Sequence, residues 1–233
     1  IYHTSDDIGV MRQRAIERQP IFRDILNRIG LQFSVGLIQG PRVKSLASLK
    51  RKREKFDKEA EIRGWPRRPN ATMSDVLGGR IAIEEPGDFQ QFVDRLNAEG
   101  YTVIEDEDFT FTPKEQYLGY RARHIGVKID GEFAAELEMV PRQIMESMEA
   151  LHALFDAARV YQQRIAHGSI SETDAANYER LVTESRRVYQ ARWDAFMEGK
   201  DIAPYTSRDA VDFMEEEDLR ISAAGRGLPT DNV

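Results

Sequence analysis

The chain has 233 residues, 41% of them hydrophobic and 31% charged, with a formal net charge of −7 and no cysteine. Such a composition describes a soluble globular protein with room for one sizeable domain and an appendage, or for two small domains. It excludes disulfides, thiolate metal sites and cysteine nucleophiles.

Four histidines (His3, His124, His152, His167) are too few for a histidine-rich metal centre. No apolar run reaches the roughly 18 residues of a membrane span, and nothing resembles a signal peptide, so a cytoplasmic place of action is the default expectation. The chain starts on Ile1 rather than Met, as a piece of a longer polypeptide would.

Residues from about Ser5 to Ile29 read as a helix, with Ser5-Asp6-Asp7 able to cap its start and Pro20 marking a kink or break. Leu31 to Leu37 is apolar and suits a strand. Gly40-Pro41 punctuates the start of a basic helix running to about Ile62. Gly64 to Asn70 is a loop by composition. Ser74-Asp75 precedes Val76–Ile83, an apolar run suited to a buried strand. Phe89, Phe92, Val93 and Leu96 keep helical spacing up to Gly100.

Tyr101–Ile104 reads as the next strand, and Glu105 to Leu118 as an exposed loop with a Pro113-Lys114 turn. Arg121–Ile129 and Glu132–Met139 are strands around Asp130-Gly131, a type I′ hairpin signal. Alternation puts Glu132, Ala134, Glu136 and Glu138 on one face of the second strand and Phe133, Ala135, Leu137 and Met139 on the other. After Pro141, Met145, Met148, Leu151, Leu154 and Phe155 keep the 3.6-residue period, and a long helix spans about Glu172 to Met197. From Asp201 the chain is polar, with a short helix near Arg208–Glu217 and a tail expected to be mobile. The order predicts an α+β fold, a mixed sheet flanked by helices with a helical C-terminal extension.

The average charge hides an asymmetry. Between Arg42 and Arg68 there are 11 Lys or Arg against 4 Asp or Glu, whereas Glu84 to Glu107 is markedly acidic. A local basic surface on an acidic protein suits a phosphate-bearing small molecule or an RNA end better than a duplex. On a helix, Lys44, Ser48 and Lys52 share one face, with Arg42 at its start, where the helix N-terminus favours anions. A solvated basic helix is the plainer account of the same residues.

Asp75 sits at the edge of an apolar strand, where an ionised carboxylate needs a cation or a metal. Glu136 falls mid-strand, where acids are depleted. Two carboxylates from separate strands facing a basic helix can hold Mg²⁺ against a triphosphate and take a proton from a hydroxyl. A turn cap for Asp75 and a solvent-facing position for Glu136 are the plain alternatives. Gly119 lets the backbone bend so that the Tyr120 ring can lie on a base, a contact of about 1–3 kcal/mol. His124, four residues further along the strand, shares its face.

In order, Arg42-x-Lys44-x-x-x-Ser48-x-x-x-Lys52, Asp75-Val76-Leu77-Gly78-Gly79-Arg80, Gly119-Tyr120-Arg121-Ala122-Arg123-His124 and Glu136-Leu137-Glu138-Met139 resemble the motifs of RelA/SpoT-type (p)ppGpp synthetases, the small single-domain members above all. The likeness covers roughly residues 30–165. It implies a synthetase domain over 1–165, with a nucleotidyltransferase-like sheet, and a C-terminal helical extension with its tail over 166–233. The activity implied is transfer of the β,γ-diphosphate of ATP to the 3′-hydroxyl of GDP or GTP.

By the same likeness, Arg42 and Arg80 sandwich the adenine of ATP, and Lys44, Ser48 and Lys52 hold its phosphates. Asp75 and Glu136 carry Mg²⁺, with Glu136 as general base. Tyr120 stacks on the acceptor base, and His124 and Lys114 reach the acceptor's phosphates. Toxin-like relatives leave three further readings open: adenosine alarmone synthesis, pyrophosphorylation of the tRNA 3′ end, and an antitoxin or immunity protein as partner. A homo-oligomer and a catalytically degenerate nucleotide-binding or structural module are open as well.

The chain departs from the family's pattern at Leu118, where Asn is usual, and at Glu138 and Val140, where Gln and Arg are common. With no His-Asp dipeptide, alarmone hydrolysis is not expected.

Overall fold

A computed structural model describes residues 2–33, 38–113, 118–166 and 171–225. By packing, the chain forms two compact units, Ile1–Asp108 with Ala122–Val140, and Phe109–Arg121 with Pro141–Val233. The boundary expected near residue 165 falls within the second of these.

The first unit opens with α1 (Ile8–Gly30), whose N-cap Asp7 accepts from the Val10 amide. Pro20 lies inside this helix and does not end it. Residues 31–33 form a turn after α1, and the remainder of the strand expected at Leu31–Leu37 lies outside the described residues.

The strand that does form is β1 (Ile38–Val43), which contains Gly40, Pro41 and Arg42. It is the edge of a five-stranded sheet ordered β1-β2-β5-β4-β3 and carries a bulge between Gln39 and Arg42. A proline lacks the N–H that a central strand needs but is tolerated at an edge or a bulge. Gly40-Pro41 is therefore an edge-strand irregularity and not the start of a helix. The basic helix α2 (Leu46–Arg63) begins one turn later than expected, capped by Ser45, and Gly64 closes it in the left-handed conformation (φ 64°).

The strand β2 (Leu77–Ile83) pairs antiparallel with β1. After α3 (Asp88–Ala98) come β3 (Thr102–Asp108), β4 (Arg123–Lys128) and β5 (Ala134–Pro141). Both β3/β4 and β4/β5 are antiparallel. Arg80 meets Glu138 while Gly78 lies against Glu136, so numbering rises together along β2 and β5, and the sheet is mixed.

The expected loop from Glu105 is strand as far as Asp108. Its acids belong to an edge strand, where charge protects unpaired backbone, and Arg123 binds Asp106 with two hydrogen bonds of 2.8 and 2.6 Å. The β4–β5 turn is not type I′, since neither Asp130 nor Gly131 has positive φ. Instead the Asp130 carboxylate accepts from the amides of Glu132 and Phe133, both at 2.8 Å.

One face of the sheet carries the core. Phe22, Leu26 and Ile29 of α1 and Phe89, Phe92 and Leu96 of α3 are buried with Leu77, Ile81, Leu137 and Met139. Gly79 permits the approach of α1, because a Cβ there would stand 2.9 Å from Leu26 and 3.2 Å from Phe22. The opposite face holds the charged residues.

The second unit is mainly helical, with α4 (Arg142–Met145), α5 (Met148–Ala166), α6 (Glu172–Met197), α7 (Ser207–Phe213) and α8 (Glu216–Gly225). The one short helix expected near Arg208–Glu217 is thus a pair, α7 and α8, and the tail lies outside the described residues. Here α5 packs on α6, α7 and α8 around Leu151, Leu154, Tyr161, Leu181 and Phe196. Asp218, fully buried, accepts from Tyr161 at 2.8 Å and from the Glu215 amide at 3.0 Å, and pairs with Arg180.

Candidate active site

The polar face of the sheet follows from strand alternation. On β5, Glu136 and Glu138 point away from Leu137 and Met139, and their cross-strand partners on β4 are Gly126 and His124. On β2, Gly78 and Arg80 continue that face, and Arg42 of β1 is the partner of Gly78.

Asp75 sits just before β2, on a short 3-10 turn at Ser74–Val76. Lys44 Nζ pairs with its Oδ2, and Lys52 Nζ is 2.6 Å from its Oδ1. Both carboxylate oxygens are thereby held by cations from two places, the end of β1 and the second turn of α2. Burial pushes Asp75 up, but the Lys52 and Lys44 ammonium groups outweigh it and hold the acid below its ordinary value.

Glu136 is treated differently. Its Oε1 accepts from Ser74 Oγ, at 3.0 Å. Burial and then the like charge of Asp75 raise its pKa, and His124 and Ser74 offset this only partly. Glu138 pairs with Arg80, and His124 Nε2 lies 3.8 Å from its other oxygen. For Glu138, burial is overcome by Arg80, and the pKa falls. The face thus holds one acid compensated by lysines, one compensated by arginine, and Glu136 pushed toward its protonated form.

Several expectations need correcting. Lys44 precedes α2, so Lys44, Ser48 and Lys52 do not share a helical face; Asp75 is what brings Lys44 and Lys52 together. The hydroxyl of Ser48 accepts from Ser45 at 3.0 Å and from Arg51 at 3.2 Å, within the first turn of α2. Arg80 is in an ion pair with Glu138, the residue that departs from the family's motif. Tyr120 does not share a strand face with His124, because β4 begins at Arg123. It belongs to the second unit and stands edge-on to Tyr189, with ring centroids 6.0 Å apart. Lys114 lies outside the described residues.

One residue of this face was not found by sequence reasoning. A Cβ built on Gly126 would stand 2.3 Å from the Tyr2 hydroxyl and 2.8 Å from its ring. The phenol of Tyr2 therefore occupies the place of a side chain on β4, opposite Glu136, and donates to Glu105. Burial and then Glu105 raise its pKa, so the hydroxyl stays protonated. The available signal was the glycine inside a strand, a mark of close approach by another group.

The donor set suits a magnesium ion. Among the described residues no cluster of three or more His, Asp or Glu is arranged to hold a metal, but Mg²⁺ commonly binds one or two carboxylates, several waters and substrate phosphate oxygens. Asp75 and Glu136 supply hard oxygens close enough for one charge to raise the other's pKa, a repulsion that a dication would relieve.

No family profile matches the sequence, and no curated protein does. Solved structures do match. The small alarmone synthetase 1 of Bacillus subtilis, bound to its product pppGpp, is 18% identical; the match covers 79% of this chain and 90% of that one at a TM-score of 0.52. Another structure of that enzyme gives 19% identity, coverage of 81% and 90%, and a TM-score of 0.52. The small alarmone synthetase 2 of the same organism gives 15%, 82%, 92% and 0.51. The chain therefore has the α+β fold of the RelA/SpoT-type small alarmone synthetases.

Proposed function

We propose that the chain is an ATP-dependent pyrophosphotransferase that moves the β,γ-diphosphate of ATP to the 3′-hydroxyl of GDP or GTP. The observation that carries this reading is the convergence of Lys44 and Lys52 on Asp75 beside Glu136, a carboxylate with a raised pKa. Transfer of this kind rests on positioning and charge neutralisation more than on covalent chemistry.

In this reading an incoming triphosphate takes over Lys44 and Lys52, exchanging one anionic partner for another. Asp75 and Glu136 would hold Mg²⁺, which would supply neutralisation of the phosphate charge. Glu136, which in the free protein accepts from Ser74 Oγ, is assigned as the general base that takes the proton of the attacking hydroxyl. Arg42 and Arg80, on neighbouring strands, suit the faces of an adenine, and Glu138 fixes the Arg80 guanidinium. His124 is assigned to the acceptor's phosphates. The roles of Ser48 with ATP, and of Tyr120 and Lys114 with the acceptor, rest on the sequence motifs alone.

A second reading, with the tRNA 3′ end as acceptor, is favoured by the end of α2. Trp65 is 57% exposed there under the guanidinium of Arg63, 4.6 Å from the ring centroid, with exposed Arg67 nearby. Exposed aromatics among cations suit single-stranded nucleic acid.

One experiment tests both. ATP labelled at the γ-phosphate is mixed with GDP, GTP, ADP, AMP or tRNA, and the products are separated. Label in a guanosine product supports the first reading, and label in tRNA alone the second. Transfer that survives in both Asp75→Ala and Glu136→Ala overturns the site.

A further inference from the structure

The second unit holds a cavity of about 420 Å³ that the catalytic reading leaves unused. Gly119 and Arg121 line one side, and Thr183, Arg186, Arg187 and Gln190 of α6 the other. These α6 residues recur at three- and four-residue spacing and so share one helical face. Gly119 lets the turn approach that face: at φ 90° it lies where a Cβ would stand 3.2 Å from the Arg186 side chain and 3.3 Å from its Cα.

Arg121 is the unusual member. It is only 7% exposed. Its guanidinium donates to the carbonyls of Thr110 and Phe111 at 2.6 and 3.2 Å and to the side-chain oxygen of Gln190 at 2.8 Å, and it lies 5.0 Å from the Trp193 ring centroid. All of these partners are neutral, and among the described residues no carboxylate touches it. Asp194, the acid it senses, accepts instead from Gln190 at 2.7 Å. Burial accordingly holds the Arg121 pKa below its ordinary value. Of the neighbouring cations, Arg187 is paired with Glu184 at 2.7 Å.

A buried guanidinium without a contact anion is costly, and the part of its fork that Thr110, Phe111 and Gln190 leave free can meet a phosphate oxygen. We propose that this cavity binds the phosphate end of a small polyphosphate or nucleotide, as a site on the second unit additional to the polar sheet face. Its volume falls in the range of small-ligand pockets, about 300–1,000 Å³. The site borders the backbone that carries Tyr120, so its occupancy fixes the turn at Leu118–Arg121.

The test is calorimetric titration of the whole chain with pyrophosphate, with inorganic phosphate and GDP as parallel arms. Two classes of pyrophosphate site are expected. Lys52→Glu removes the class at the sheet face. The double variant Arg186→Gln, Arg187→Gln weakens the other at least about tenfold, and Arg121→Lys, which keeps the charge but loses the fork, weakens it as well. Inorganic phosphate or GDP competing for that second class identifies a lone dianion or a nucleotide diphosphate as sufficient. The proposal is overturned if the double variant, shown folded by circular dichroism, binds pyrophosphate as the parent does. A single class of sites, abolished by Lys52→Glu, overturns it too.

Discussion

Two carboxylates, Asp218 in the helical unit and Glu136 on the sheet, show what separates an acid that supports a fold from one available for chemistry. Asp218 has no exposed surface, and a phenol, a backbone amide and a guanidinium saturate its oxygens. Every partner is complementary, and Tyr161 and Arg180 stand on α5 and α6. Glu136 is also held within the protein, yet it accepts from a serine hydroxyl and its acidic neighbour repels it. An acid left in that state costs stability when ionised and is retained where a ligand or a proton completes it.

The comparison breaks if Glu136 proves structural. Glu136→Gln is expected to lower the transfer rate by about 10²–10⁴, the usual worth of a positioned general base. The thermal midpoint should hold or rise. The sign follows from linkage: with its folded pKa raised, Glu136 favours folding only while protonated, and that contribution is lost as pH rises. A melting point that falls sharply with activity retained would make Glu136 a second Asp218.

Asp218→Ala should do the reverse. It removes the acceptor that Arg180 and Tyr161 share, leaving Arg180 with the Phe213 carbonyl and Glu215, a loss of about 1–3 kcal/mol in chemical denaturation, and the nucleotide affinity of the folded fraction should not change.

Asp75 sharpens the contrast further. Lys52→Met is expected to weaken ATP about tenfold, or about 1.4 kcal/mol, in equilibrium titration. It should also raise the Asp75 pKa, since Lys52 is the first of the two cations holding it down. Asp75 in the parent favours folding above its unfolded value and loses that contribution as pH falls through its lower folded value. The variant's acid unfolding should therefore begin at higher pH. For Glu136 the expectation is opposite: Asp75→Asn lowers its pKa, read by carboxyl ¹³C shifts, because a repelling charge has been removed.

Much of this contrast was legible in the residues. Glu136 was conspicuous as an acid at mid-strand, and alternation put it beside Glu138. Asp75 needed a cation, and the chain's densest basic segment offered two. The sequence also suggested the α+β order, because Leu77–Ile83 is a short apolar run and α3 keeps a helical period.

What failed did so for tertiary reasons. Gly40-Pro41 looks like the start of a helix to any local rule, and only its place at the sheet edge makes it strand. The acids of β3 read as loop for the same reason. Glu138 appeared as a departure from a motif, whereas in the fold it is the partner of Arg80. The neutral surroundings of Arg121 come from residues 10, 11 and 69 positions away.

Tyr2 gives the smallest effect and the finest division of the polar face. Its hydroxyl stays protonated and points to Glu105, so it can donate but not take up a proton. Tyr2→Phe keeps the ring over Gly126 and loses one hydrogen bond, about 0.5–1.5 kcal/mol of stability. Because the Glu136 shift arises first from burial and then from Asp75, the acid limb of the pH–rate profile should stay in place in this variant. Gly126→Ala differs in kind: its methyl claims the space of the hydroxyl and must displace the ring. That displacement opens the face around Glu136 to water, relieves its burial and moves the acid limb to lower pH. If both variants move the limb equally, the hydroxyl itself acts on Glu136; if only Gly126→Ala does, the ring's role is to keep water away.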